Sequence, residues 1–140
     1  MTRPVASGWT VFYDSSCGLC MWLLAAVLRW DRAARLHPVA LQSHEAAEVL
    51  AAVAPSVRMA SWHLVSPQGR RWSGGAALAP MLRLLPCGRL PAVALERAPG
   101  SVEKGYEWIA GHRAPLGRLV PAGMKRRAAA RVRARELAGA

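Results

Sequence analysis

The sequence predicts an α/β domain whose elements follow the order β-α-β-α-β-β-α, with additional helices at the C-terminal end. Three observations predict this class. Residues 9–13 are rich in aromatic and β-branched side chains, which favours a strand. The uncharged apolar run Leu19–Leu28 is too short to span a membrane and fits a buried helix. Strand-like and helix-like segments then alternate along the chain, which is typical of α/β domains.

The next two elements follow from local signals. Residues 35–41 read as a second strand, and Pro38 favours an edge or a bulge there. A helix connects this strand to the first, so we expect the two strands to be parallel. Ser43 is a candidate N-cap for a second helix, whose apolar residues recur at helical spacing up to Val53. The first helix has its own candidate caps in residues 14–16.

A hairpin and a third helix complete the predicted core. Residues 61–65 and 70–72 read as strands joined by a turn of Ser, Pro, Gln and Gly. The third helix carries apolar residues on one face over 78–85. Two short helices are expected near 91–98 and 101–110, where Pro and Gly separate them.

The composition favours one domain, residues 1–120, followed by a basic tail, residues 121–140, that is helical or disordered. The 140 residues carry a net charge of +11, part of it in this tail. We favour a solvated or frayed helix for the tail, and contact with an anionic membrane surface is the alternative. No nucleic-acid-binding motif is present, so nucleic acid is not an expected partner. The N-terminal segment lacks the apolar core of a secretory signal, so we expect a cytoplasmic location.

The chemistry of the sequence is concentrated in Val11–Cys20, where an apolar strand, a polar turn and a C-x-x-C follow each other. A dithiol redox site needs this arrangement. Cys17 and Cys20 lie on one face of the predicted helix and can close a disulfide with little backbone movement. The helix N-terminus favours the thiolate of the first cysteine. We therefore expect Cys17 to attack a disulfide and Cys20 to resolve the product.

The predicted order of elements is that of the thioredoxin-like fold, which keeps its dithiol at the first strand-to-helix junction. The main alternative for the C-x-x-C is half of a zinc site, which needs two more ligands. Cys87 and the four histidines are scattered without ligand spacing. We therefore favour redox chemistry with no metal and no cofactor. Cys87 itself is expected to be a small buried hydrophobic residue.

The stretch Tyr13–Cys20 resembles the Y-D-x-x-C-x-x-C signature of the DCC-type thiol–disulfide oxidoreductase family. The likeness extends over roughly residues 9–120 and includes Leu41-Gln42-Ser43 and residues 106–113. The resemblance implies that a Cys17–Cys20 dithiol exchanges with a protein disulfide or a low-molecular-weight thiol. Besides the two cysteines, the resemblance implies that Asp14 is a catalytic candidate. It also implies supporting positions at Tyr13, Ser16 and Gly18.

Two questions stay open for the site. Asp14 can accept a proton from Cys20 or tune Cys17, or it can cap the turn or the helix. His112 and Arg113 match family positions without an assigned role.

Two expectations set this dithiol apart from other members of its fold. No cation or histidine lies between the cysteines, so we expect a reducing potential, nearer roughly −270 mV than roughly −120 mV. Thioredoxins carry a cis-proline before the third strand, and residues 58–61 contain none, so we expect a different substrate groove.

Overall fold

The computed structural model describes residues 8–139, so the segment on which the expected location rests lies outside it. No helix of the described chain combines the length and apolarity needed to cross a membrane. In chain order the elements are β1 (Trp9–Tyr13), α1 (Gly18–Trp30), β2 (Leu36–Ala40), α2 (His44–Val49), α3 (Pro55–Ala60), β3 (His63–Val65), β4 (Arg71–Ser73), a 3₁₀ turn (Gly74–Ala77), α4 (Leu78–Arg83), α5 (Arg89–Glu96), α6 (Pro99–Gly111), α7 (Arg113–Leu119) and α8 (Ala122–Ala138).

The four strands form one sheet in the order β2-β1-β3-β4. β1 and β2 are parallel, whereas β3 pairs antiparallel with both β1 and β4. β2 is an edge strand, as predicted, and its Pro38 lies opposite Val11 of β1. An edge tolerates a residue that lacks a backbone N–H. The sheet therefore confirms the mixed α/β fold, including the parallel first pair and the hairpin.

The side chains of β1 alternate between two apolar cores. Val11 and Tyr13 pack with the buried residues of α1 and α8, while Phe12 packs with Leu50 and its neighbours on the opposite face. The sheet is thus covered on both sides. The C-terminal end of β1, where the turn to α1 begins, is held from both faces.

Several helix boundaries differ from the prediction. Cys17, and not a residue of 14–16, is the N-cap of α1. The second helix ends at Val49, before the end of the apolar periodicity at Val53, and a separate helix, α3, starts at Pro55. Proline is favoured in the first turn of a helix because its missing N–H has no partner there anyway. α7 likewise follows the two short helices expected up to residue 110 and is not among the predicted helices.

The basic segment at the C-terminal end is the helix α8, which exposes most of its residues and packs one side against the core, so it is not a frayed tail. α8 packs along α1, with Ala128 and Val132 buried in the interface. Arg135 adds a polar anchor, since its guanidinium lies 2.9 Å from a carboxylate oxygen of the buried Asp31. It also donates to the carbonyl oxygens of Leu28 and Leu36 at 3.2 Å.

The prediction that Cys87 is buried is wrong. Its side chain is exposed, and its backbone has a φ of 59° in the loop that follows α4. The backbone N–H of the following residue, Gly88, donates to the carbonyl of Leu85 at 3.0 Å, which forms a tight turn. Such a reversal at a helix end turns the side chain away from the core.

Candidate active site

The turn between β1 and α1 is built around the carboxylate of Asp14. Its Oδ1 accepts hydrogen bonds from the backbone N–H of Ser16 at 3.0 Å and from the Ser16 hydroxyl at 2.6 Å. The side-chain amide of Gln42 donates to the same oxygen at 2.6 Å. Gln42 also accepts from the backbone N–H and the hydroxyl of Ser15, at 3.2 and 2.8 Å. The turn is therefore fastened to the segment that follows β2.

Asp14 is held in its ionised form. Partial burial alone would raise the pKa of this carboxyl group, but the hydrogen bonds from Ser16 and Gln42 and the charge of Arg113 lower it below its ordinary value. The structure thus gives Asp14 the turn-capping position that the sequence left open. A carboxylate with a lowered pKa is also a weak proton acceptor.

Cys17 is the last residue before α1. Its N–H donates to the carbonyl of Asp14 at 3.2 Å, and its Sγ accepts the N–H of Cys20 at 3.3 Å. The pKa of Cys17 is lowered to about 6, chiefly by a hydrogen bond from the Cys20 thiol, against the opposing effect of burial. The Cys20 N–H and the charge of Arg113 lower it further, whereas Asp14 raises it. A large fraction of Cys17 is therefore thiolate at neutral pH.

Cys20 has the opposite character. The hydrogen bond that it donates to Cys17, its burial and the negative charge of Cys17 together raise the pKa of Cys20 strongly. Arg113 acts in the other direction, through its hydrogen bond and its charge. Its guanidinium Nη1 lies 3.9 Å from the Cys20 Sγ and 3.7 Å from Asp14 Oδ2. Two thiols that are three residues apart are thus set far apart in acidity.

Arg113 is the site residue whose task sequence reasoning missed. The sequence has no cation between the cysteines and leaves Arg113 without a role, yet Arg113 reaches Cys20 from the start of α7, 93 positions away. The only signal was its place in the stretch 106–113 that resembles the family. The expectation of a reducing potential considered only the residues between the cysteines and did not include this cation.

Tyr106 flanks the dithiol on the side of β3. Its hydroxyl accepts the backbone N–H of Trp62 at 3.1 Å, and its ring stacks on that of Trp62 at 5.9 Å between centroids. Burial raises the pKa of Tyr106 to about 12. The segment before β3, where thioredoxins have their proline, is the helix α3.

The supporting positions predicted from the sequence divide into two groups. Ser16 and Gly18 lie beside the cysteines, and a Cβ on Gly18 would come within 3.2 Å of the Lys125 side chain. Tyr13 does not join them. Its ring is buried beneath α8, where its hydroxyl donates to the carboxylate of Glu136. The structure thus brings together Asp14, Ser16, Gly18 and the two cysteines, and places Tyr13 in the core.

Two adjoining depressions open at the dithiol. The first, which we call the thiol pocket, has a volume of about 340 Å³ and is lined by Asp14, Cys17, Gly18, Arg113, Arg118 and Lys125. The second, the apolar groove, has a volume of about 490 Å³ and is lined by Trp22, Leu23, Trp108, Leu116, Leu119 and Met124. Leu19, between the two cysteines, lines both. Among residues 8–139, no cluster of three or more His, Cys, Asp or Glu side chains could hold a metal ion.

A thiolate and a second thiol at a strand-to-helix junction, on a sheet covered by helices, define a dithiol protein with a thioredoxin-like fold. The family comparison refines this class. The model of the DCC1-like thiol-disulfide oxidoreductase family matches residues 11–119, and the chain belongs to this family. No curated protein and no solved structure matches the chain. The suspected resemblance is confirmed, and with it a thiol–disulfide oxidoreductase-like function in general.

Proposed function

We propose that the protein is an enzyme that transfers two electrons between the Cys17–Cys20 dithiol and the disulfide of a substrate protein or a small thiol compound. The observation that carries this proposal is the division of acidity between the two thiols. The lowered pKa of Cys17 makes it a ready nucleophile, and the raised pKa of Cys20 keeps the second thiol protonated until it is needed.

In the first step the Cys17 thiolate attacks one sulfur of the substrate disulfide. The substrate S–S bond breaks, a Cys17–substrate disulfide forms, and the other substrate sulfur leaves as a thiolate that takes a proton from solvent. Cys17 lines the thiol pocket, which supports its assignment as the attacking residue.

In the second step Cys20 gives its proton to solvent and attacks Cys17 Sγ. The Cys17–substrate disulfide breaks, the Cys17–Cys20 disulfide forms, and the substrate sulfur leaves as a thiolate that takes a proton from solvent. Two of the three causes that raise the pKa of Cys20 come from Cys17, namely the hydrogen bond and the negative charge. Both disappear once Cys17 is bound to substrate, so Cys20 becomes more acidic when it has to react. Arg113, 3.9 Å away, would stabilise the Cys20 thiolate.

Asp14 acts in this proposal through Arg113 and the turn, and it accepts no proton. Its carboxylate lies 3.7 Å from Arg113 and holds the turn in front of Cys17 through Ser16. We expect Asp14→Asn to slow turnover and to leave the fold intact. Normal turnover of this variant would leave Asp14 with no role beyond the turn. We propose in addition that the protein acts in the cytoplasm.

An insulin-reduction assay with dithiothreitol tests the function. The wild type should accelerate the reaction, Cys17→Ser should not, and Cys87→Ser should behave as the wild type because Cys87 lies in an exposed loop outside the thiol pocket. Acceleration by Cys17→Ser would refute the assignment. Stoichiometric zinc in the purified protein, lost on replacement of Cys17, would favour a metal site instead.

A further inference from the structure

We propose that the substrate of this dithiol, given the exchange reaction proposed above, is a protein disulfide whose cysteine has acidic neighbours followed by an apolar side chain. The thiol pocket would receive the cysteine and its acidic neighbours, and the apolar groove would receive the apolar side chain. The two depressions meet at Leu19, so one extended segment can occupy both.

Three cationic side chains line the thiol pocket: Arg113, Arg118 and Lys125. Asp14 lies near Arg113 and offsets part of its charge. Among the residues from 8 to 139, Arg118 and Lys125 form no ion pair with a carboxylate. A substrate with acidic side chains beside its cysteine would supply the missing negative charge.

Lys125 is directed toward the dithiol by its packing. Its stem lies over Gly18, with Cδ and Nζ at 3.2 and 3.7 Å from the position that a Cβ on Gly18 would occupy. The ammonium group is therefore next to the start of α1 and only partly exposed. Because neither Lys125 nor Arg118 is paired with a carboxylate among the described residues, their charges are available to a bound substrate.

The apolar groove exposes large side chains that a folded domain ordinarily covers. Leu119, Trp108 and Met124 retain 78%, 57% and 43% of their accessible surface, and they come from three different helices. A contiguous apolar surface of this kind marks a binding site. A depression of about 490 Å³ has room for one or two side chains of an extended segment.

A protein segment fits these two surfaces better than the other anionic partners. The groove is concave and starts at a residue between the two cysteines, so a chain whose cysteine reaches Cys17 continues directly into it. A lipid surface is broad and would meet the rim rather than the floor of the groove. A small anionic thiol would occupy the thiol pocket and leave the apolar groove empty.

A set of four short peptides tests the proposal. Each carries its cysteine as a 2-thiopyridyl disulfide, with acidic or uncharged neighbours and with a distal Leu or Ser. The pre-reduced protein is mixed with each peptide, and thiopyridone release gives the second-order rate constant. Attack by Cys17 releases thiopyridone, and Cys20 then releases the peptide thiol, so two electrons leave the dithiol. We expect the acidic peptide with Leu to react about tenfold faster than the uncharged peptide with Ser.

Variants assign this preference to its residues. Lys125→Met should reduce the acidic preference about threefold, while Arg127→Met, an exposed cation of the same helix outside the pocket, should not change it. Trp108→Ser should reduce the preference for Leu. Added salt should weaken the acidic preference and leave the Leu preference in place. The midpoint for alkylation of Cys17 should stay the same in Lys125→Met, which separates substrate selection from activation of the thiol.

The contrary outcomes are distinct. Equal rates for all four peptides, with exchange that still depends on Cys17, would overturn the substrate class and leave the proposed function standing. Exchange with none of the peptides would overturn the proposed function itself. Oxidised glutathione reacting as fast as the best peptide would point to a small anionic thiol. Vesicles of phosphatidylglycerol that bind the protein and block the peptide reaction would point to a membrane, whereas vesicles without effect would support a protein segment.

Discussion

The acidity of Cys17 depends on its neighbours more than on its own position in the sequence. The largest contribution is the hydrogen bond from Cys20, a residue that the C-x-x-C spacing brings within reach. The backbone N–H of Cys20, in the first turn of α1, adds to it, as expected for a thiol at a helix N-terminus. The charge of Arg113 also lowers the pKa of Cys17, and no local sequence pattern predicts this contact. The reactive thiolate is therefore the product of one local and one distant partner.

The rate of alkylation of Cys17 should follow this acidity. In a Cys87→Ser background, the rate constant with iodoacetamide should rise with pH through a midpoint of about 6 and level off above it, because the thiolate is the reacting form. Cys20→Ala should move the midpoint to higher pH, since it removes the main stabilising hydrogen bond. A midpoint that stays the same in Cys20→Ala would contradict the proposed coupling of the two thiols.

Arg113 should influence the redox potential as well as the rate of resolution. Arg113→Met removes a charge that stabilises both thiolates, so the reduced form loses stability and the midpoint potential becomes more negative, by roughly 20 mV if the pKa of Cys17 rises by about one unit. Equilibration with glutathione measures this shift. Arg113→Lys, which keeps the charge, should recover part of it. A potential that becomes less negative in Arg113→Met would rule out the proposed role.

The site depends on the contact between α1 and the C-terminal helices. α7 supplies Arg113, and α8 supplies Lys125 and covers α1 with Ala128 and Val132. The buried carboxylate of Asp31 at the end of α1 is bound by Arg135 and by the N–H groups of residues 35 and 36. Packing and one ion pair thus hold α8 in the position that the thiol pocket requires.

Loss of the ion pair should cost stability. Arg135→Met leaves the carboxylate of Asp31 buried without its charged partner, and we expect the free energy of unfolding in urea to fall by about 3 kcal/mol. Arg131→Met, an exposed change on the same helix, should have little effect. Combining Arg135→Met with Asp31→Asn should be less destabilising than Arg135→Met alone, because no charge is then left unpaired. Equal stability of Arg135→Met and Arg131→Met would contradict this view of the anchor.

For the whole molecule, the sequence predicts the parts whose signals are local. β1, the turn, the cap at Ser43 and the edge position of β2 follow from residue types and their spacing. Gln42 and Arg113 reach the turn and the dithiol from 28 and 93 positions away, and contacts over such distances leave no pattern in a single sequence. In α8 the many basic residues likewise leave no recognisable apolar pattern, although Ala128 and Val132 pack into the core.

The packing of α8 bears on the predicted domain boundary at residue 120. A chain that ends there would expose the buried side of α1 and leave Asp31 without Arg135. We expect this truncated chain to lose cooperative thermal unfolding, as measured by circular dichroism, while removal of the last two residues should have little effect. A truncated chain that unfolds cooperatively near the temperature of the full chain would establish residues 1–120 as an independent domain.

Trapping the mixed disulfide shows which cysteine attacks the substrate and which one resolves the product. Cys20→Ser in a Cys87→Ser background is reacted with a peptide disulfide, and the adduct is located by mass spectrometry under non-reducing conditions. We predict a stable mixed disulfide on Cys17. In the Cys87→Ser protein, which keeps Cys20, the mixed disulfide should not accumulate, because Cys20 resolves it. If Cys17→Ser formed the adduct on Cys20 and Cys20→Ser did not react, the two roles would be the reverse of those proposed.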